Sequence, residues 1–355
     1  MLVPSMHSLA QTWPAERERL AAAAAREGEL VVFCQPNQAV RAFVTGEWEK
    51  AFPAVKLSLA VVPAPQFLAR IRTERGAGRY LWDLGFSGSV TGFALTKDGY
   101  TDAIPPELID PDVARPELWG GWDEAFVDLE KRYVFSTSIA LKTPVYNALR
   151  LAPEKVKALG LEVLFEPELK DRIVWHDPAI PGGGQQYAIY LRNRLGDDVL
   201  RRFIVEQKVK FVSAQHEVVE ALARGTAFVG LGPGNARVLT EPYVKAGIPI
   251  DIRTFGNAPE LNDITIGGNT LYVIKNRPHP NATRLFLNWL LSRDVQDGFA
   301  KAVEQNSRRA DVASVAGADA TPVPGAKYLS PQREEHTEAM LKAVEFVGEV
   351  RKGMK

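Results

Sequence analysis

The chain has 355 residues, Lys+Arg 43 against Asp+Glu 43, and a hydrophobic share of 46%. That length exceeds what one hydrophobic core usually serves, and the balanced charge excludes both wholesale disorder and a net-basic nucleic-acid binder. A lone cysteine, Cys34, rules out an internal disulfide, the five histidines supply no closely spaced metal-ligand pair, and no stretch approaches the roughly 20 apolar residues that cross a bilayer.

Taken in chain order, Pro14 predicts the first turn of a helix and Gly28 its end. Charges on both sides of the alanine run at 21–25 mark a surface helix rather than the apolar centre of an export signal; if the protein is exported, its signal is expected to have been removed. The apolar run at 30–33 reads as a buried strand. Asn37 reads as the N-cap of a helix with Val40, Val44 and Trp48 at helical spacing, stopped by Pro53. A strand at 55–62, a helix carrying Phe67 and Ile71, and a strand at 81–86 complete a β-α-β-α-β run, which predicts a parallel sheet covered on both faces.

Pro105, Pro106, Pro111 and Pro116 then break the chain into loop and short helices. An extended segment at 133–140 leads into a second α/β section, with strands at 173–175, 210–212 and 227–231 alternating with helices at 153–160, from about 185, and at 218–224. Residues 264–274 are strand-like, and the helix after Pro280 carries Leu285, Phe286, Trp289 and Leu290 on a core face. A loose connection at 312–329 precedes a last helix, opened by Ser330-Pro331, with Met340, Val344 and Val347 as its apolar stripe.

Ligands of open α/β sheets sit beyond the carboxyl ends of the strands, so four loops qualify as binding elements. Two lie in the first section: Cys34-Gln35-Pro36-Asn37, and Ser87-Gly88-Ser89 with its small hydroxyls. Serine and asparagine are equally ordinary helix caps. The third, Gly182-Gly183-Gly184-Gln185 before Tyr187, leaves backbone donors open to an anion, although glycine clusters also make plain turns. The fourth, 230–235, ends in Asn235 with Arg237 beyond it, a residue suited to a carboxylate or phosphate or simply to solvent. Neither glycine run has dinucleotide or P-loop spacing, and no serine stands in a Gly-x-Ser-x-Gly elbow. Cys34 reads as a buried thiol, with a base such as His176 left open.

Several segments carry a family resemblance. The opening at 27–33, Phe52-Pro53-Ala54-Val55, and Trp82-Asp83-Leu84 before Ser87 resemble the first lobe of extracellular solute-binding proteins of ABC importers. Asp177-Pro178, the run at 285–292, and Ser307-Arg308-Arg309-Ala310-Asp311-Val312 resemble the ferric-iron-binding branch. The resemblance implies the type II periplasmic-binding-protein fold, α/β, with residues 1–137 and 264–355 in lobe 1, residues 138–263 in lobe 2, and the last helix on lobe 1. It implies crossing strands near 133–146 and 252–269 and a ligand held between the lobes. The branch's tyrosine pair is missing, since Gly232-Pro233-Gly234-Asn235 stands where it is expected, and the usual first-lobe His and Glu are missing too. A hard ferric ion would lose its anionic oxygen ligands. The expected ligand is therefore a small organic anion, met by Cys34, Gln35, Asn37, Ser87, Gly88, Ser89, Gly183, Gly184, Gln185, Tyr187, Asn235 and Arg237. The resemblance further implies a periplasmic or extracytoplasmic monomer that serves a membrane permease, with no metal, cofactor, catalytic residue or nucleic-acid partner. Ferric-iron transport and an enzyme acting on a phosphate ester are the rival readings, and an effector domain of a transcription regulator would need a helix-turn-helix, for which the segment before Leu30 is too short.

Overall fold

The computed structural model describes residues 6–354 apart from 35, 181, 235 and 267, and for 6–12, 237, 238 and 319 the backbone alone. The chain forms two compact units, each assembled from separate stretches. Unit 1 comprises Met1–Ile139, Ile266–Val315 and Gln332–Glu335; unit 2 comprises Ala140–Thr265, Ala316–Pro331 and His336–Lys355.

Unit 1 begins with α1 (Met6–Glu27), β1 (Glu29–Cys34), α2 (Gln38–Ala51), β2 (Lys56–Val61), α3 (Ala64–Gly76), β3 (Leu84–Ser87) and α4 (Ser89–Lys97). It continues through β4 (Thr101–Asp102), α5 (Trp122–Ala125), β5 (Phe135–Ser136) and the first residues of β6 (Ser138–Lys142). Unit 2 takes β7 (Val145–Asn147), α6 (Pro153–Leu159), β8 (Ile173–His176), α7 (Gly183–Glu206), β9 (Lys210–Val212) and α8 (Gln215–Ala223). It goes on with β10 (Val229–Leu231), α9 (Ala236–Lys245), β11 (Ile252–Thr254) and β12 (Asp263–Thr265). Back in unit 1 lie β13 (Thr270–Ile274), α10 (Pro280–Leu290), α11 (Arg293–Val303) and β14 (Asn306–Ser307), and α12 (Thr337–Lys352) closes unit 2.

In unit 1 the strand order is β2-β1-β3-β13-β4, with β5 also on β13. The β-α-β-α-β run makes β1, β2 and β3 parallel as expected, but β13 pairs antiparallel with β3, β4 and β5. The sheet is therefore mixed, because β13 arrives from a distant part of the chain and not through a crossover helix. Unit 2 repeats the arrangement in the order β11-β7-β10-β8-β9, with β8, β9 and β10 parallel and β7 and β11 antiparallel.

The predicted core faces are buried. Trp48 of α2 is fully enclosed by Phe52, Phe286 and Trp289, at ring-centroid distances of 4.7, 5.3 and 5.2 Å, and its indole N–H donates to the Val55 carbonyl at 2.8 Å. Two expectations are corrected. The first helix starts before Pro14, which lies inside α1, and this helix buries Leu20 and Ala24 in the unit 1 core. The last helix was expected on lobe 1 but packs along α7 in unit 2, where Ala343, Val347 and Val350 join the core of Tyr190, Leu200 and Phe203. The packing partner decides this, because the residues that lead into α12 do not: Leu329, whose carbonyl accepts from Ile264 N–H of β12 at 2.8 Å, belongs to unit 2, and Gln332–Glu335 belong to unit 1.

Candidate functional site

In unit 1, pairing register brings the predicted loops to one sheet edge. Cys34 of β1 stands opposite Phe86 of β3, so both strands end side by side, and Ser87 stands opposite Thr270 of β13, itself opposite Ser136 of β5. The side chains at this edge are largely engaged by the protein. Asn37 is the N-cap of α2, its Oδ1 accepting from Val40 N–H at 3.1 Å. The hydroxyl of Ser87, 1% exposed, shares a hydrogen bond with the Tyr272 hydroxyl at 2.7 Å, and that of Ser89 donates to the Gln332 carbonyl at 3.1 Å. Gly88 precedes α4 at φ −66, a conformation open to any residue. Here a glycine is demanded three residues earlier: a Cβ on Gly85 would lie 1.8 Å from the Tyr272 ring, which covers the strand at that point. Cys34 is buried, and burial pushes its thiol up to about 11, a poor nucleophile at neutral pH.

In unit 2 the same register logic holds. Leu231 of β10 stands opposite Trp175 of β8, and Gly230 opposite Val145 of β7, so the loops after β8 and β10 and the residues just before β7 share one edge. The two glycine loops touch. A Cβ on Gly183 would come within 2.6 Å of the Gly232 carbonyl oxygen, and one on Gly184 within 1.8 Å of the His176 carbonyl oxygen. Close packing thus accounts for these glycines directly, and Gly232, at φ +80, also needs the left-handed region. Gly184 N–H donates to His176 Nδ1 at 3.1 Å, and burial holds that imidazole below its usual range, so the ring stays neutral and accepts. The Tyr187 hydroxyl donates to the Thr143 carbonyl, and burial drives its phenol far above the ordinary value. Gln185 follows in the first turn of α7.

Gln35 and Asn235 lie outside the described residues, and of Arg237 only its backbone place in the first turn of α9 is described.

Two cations missed by the sequence reading stand close by within their own units. Lys142 of β6 sets its Nζ 5.5 Å from the centroid of the Tyr187 ring, at the head of α7. Its register partner is Asp263, but that carboxylate lies 2.8 Å from Arg194 Nη1 instead. Among the described residues no carboxylate is within ion-pairing distance of the Lys142 ammonium. Burial with no compensating charge lowers its pKa to about 8. Arg308, just past β14 in unit 1, is the second. A lysine in a strand carries no sequence signal that tells it from an ordinary surface residue, and the 307–312 segment marks a family resemblance without telling Arg308 from Arg309.

No protein-family model matches the chain, and no curated protein matches it. Solved structures do match. Iron-bound HitA from Pseudomonas aeruginosa is 15% identical with a TM-score of 0.65, covering 90% of this chain and 99% of that one. An ABC transporter protein from Clostridium perfringens is 15% identical with a TM-score of 0.67, covering 90% and 99%. The periplasmic binding protein AfuA from Actinobacillus pleuropneumoniae, with exogenous fructose-6-phosphate bound, is 16% identical with a TM-score of 0.60, covering 91% and 99%. The chain therefore has the fold of these proteins, the type II periplasmic-binding-protein fold. Among the described residues no helix is long and apolar enough to cross a membrane.

Proposed function

We propose that this chain is the solute-binding component of an ABC importer, working outside the cytoplasmic membrane, and that it captures a small organic anion, a carboxylate or a phosphate ester. The observation that carries the anionic character is Lys142: an ammonium over the Tyr187 ring, beside the N-terminal turn of α7, with no carboxylate partner among the described residues. A positive charge and a helix N-terminus at one strand edge both favour an anion. The fold supports the transport role, since the matched structures include a periplasmic binding protein with fructose-6-phosphate bound, an ABC transporter structure and iron-bound HitA. On this reading unit 2 offers an anion the backbone N–H groups of Gly183 and Gln185 with Lys142, Asn235 and Arg237, and unit 1 by itself offers the 35–37 and 88–89 turns. The hydroxyls of Ser87, Ser89 and Tyr187 serve the protein's own hydrogen bonds.

Calorimetric titration of the purified chain with fructose 6-phosphate, citrate and, as the neutral control, fructose tests the proposal. Binding of at least one anion and not of fructose is expected. Binding of neither anion, together with a tyrosinate charge-transfer band on adding ferric ion, would replace this reading with iron transport.

A further inference from the structure

Unit 1 holds a buried guanidinium, Arg308, that shares its carboxylate with a second arginine. Its strand edge can be followed residue by residue: Ser87 faces Thr270, Thr270 faces Ser136, and the next residue, Thr137, accepts at its carbonyl from Arg308 N–H at 3.0 Å. Arg308 is thereby fixed to the edge where β1 and β3 end. Its side chain is 9% exposed, and its Nε is buried with no acceptor among the described residues. Among the described residues the carboxylate within ion-pairing reach is Glu124, whose Oε2 is 4.0 Å from Arg308 Nη1 and 3.0 Å from Arg333 Nη2. Arg333 is also bonded to the carbonyls of Asp123 and Phe126, at 2.7 and 3.4 Å. Two guanidinium groups thus share one carboxylate, and that carboxylate is 61% exposed. The adjacent Arg309 shows the contrast. It is fully buried, yet Asp112, Asp311 and the Leu291 carbonyl satisfy it. Burial lowers the Arg308 pKa to about 10, and the charge of Arg333 adds to the effect.

A guanidinium presents Nε–H and Nη–H as a fork that fits two oxygens of a carboxylate or phosphate, and a buried charge left without a partner is costly. We infer that Arg308 is the residue of unit 1 that receives the acid group of the solute, through Nε and one Nη. The inference rests on the anion-binding reading above and names the side chain that recognises the acid.

The test is calorimetric titration of the full chain and of Arg308→Gln with fructose 6-phosphate and citrate, alongside melting without ligand. Arg308→Gln is expected to weaken the binding anion by about ten-fold or more, with Arg308→Lys recovering part of the loss. Without ligand the Gln variant is expected to melt no lower than the parent, because a buried unpaired charge has gone. Parent-like affinity in Arg308→Gln overturns the inference and leaves the anion reading standing. Failure of the intact chain to bind either anion removes that reading, and the inference with it. Should Arg308→Gln not fold, Arg308→Lys carries the test, and full affinity in that variant overturns the assignment.

Discussion

If Lys142 meets the anion, affinity depends on pH in a way its surroundings define. Burial lowers this amine to about 8 in the ligand-free fold, against an ordinary value of 10.5, and an anion alongside raises it again. Affinity is then full below about pH 7 and declines as pH rises through 8. Fructose 6-phosphate is a suitable probe, since the second ionisation of a phosphate monoester, near 6, is essentially complete at the start of this range. Between pH 7 and 9 the protonated share of a group with pKa about 8 falls from about 0.9 to about 0.09, so affinity falls about ten-fold, or ~1.4 kcal/mol. Titration calorimetry at pH 8.5, in two buffers of different ionisation heat, should register proton uptake on binding. Lys142→Met should flatten the profile and give, at pH 7, roughly the affinity that the parent shows at pH 9. Affinity independent of pH from 7 to 9, or an unchanged profile in Lys142→Met, would refute the assignment. The linkage for the ligand-free chain runs the other way. Its unfolded form holds the lysine proton between pH 8 and 10.5 while the folded form has lost it, so stability rises with pH across that window.

Further outcomes follow from the same contacts. Gly184→Ala would drive a Cβ to within 1.8 Å of a backbone carbonyl and should destabilise the protein by about 2–3 kcal/mol in urea unfolding, whereas Gly348→Ala, in open space on α12, should stabilise slightly. Arg237→Ala should weaken anion binding at least several-fold with an unchanged melting curve; unchanged affinity would remove Arg237 from the site. Asn37→Ala should cost about 1 kcal/mol through loss of the α2 cap, with affinity retained, and a loss of affinity alone would make this side chain a ligand contact.

Much of the strand-end architecture was legible in sequence because it is encoded locally. The strand end at Leu231, the Asn37 cap and the α10 core face at Leu285 and Phe286 follow from periodicity, punctuation and capping chemistry over a few residues, and the first strand runs one residue past the 30–33 reading, to Cys34. The wrong side for the last helix was not a local error. Its apolar stripe was read correctly, but a stripe says only that a partner exists, and the apolar face of α7 far along the chain supplies it.

The chain by itself determined that two α/β units would form and that glycine-rich turns would end their strands, since alternation and composition act within a few residues. Which polar groups remain available was decided by tertiary structure. Ser87, Ser89 and Tyr187 find partners far along the chain, Arg309 finds two carboxylates, and its neighbour Arg308 finds, among the described residues, one that another arginine already holds. Adjacent identical residues differ in this way because a hydrogen bond or ion pair depends on what long-range packing brings within about 3 Å, and sequence neighbours do not share that environment.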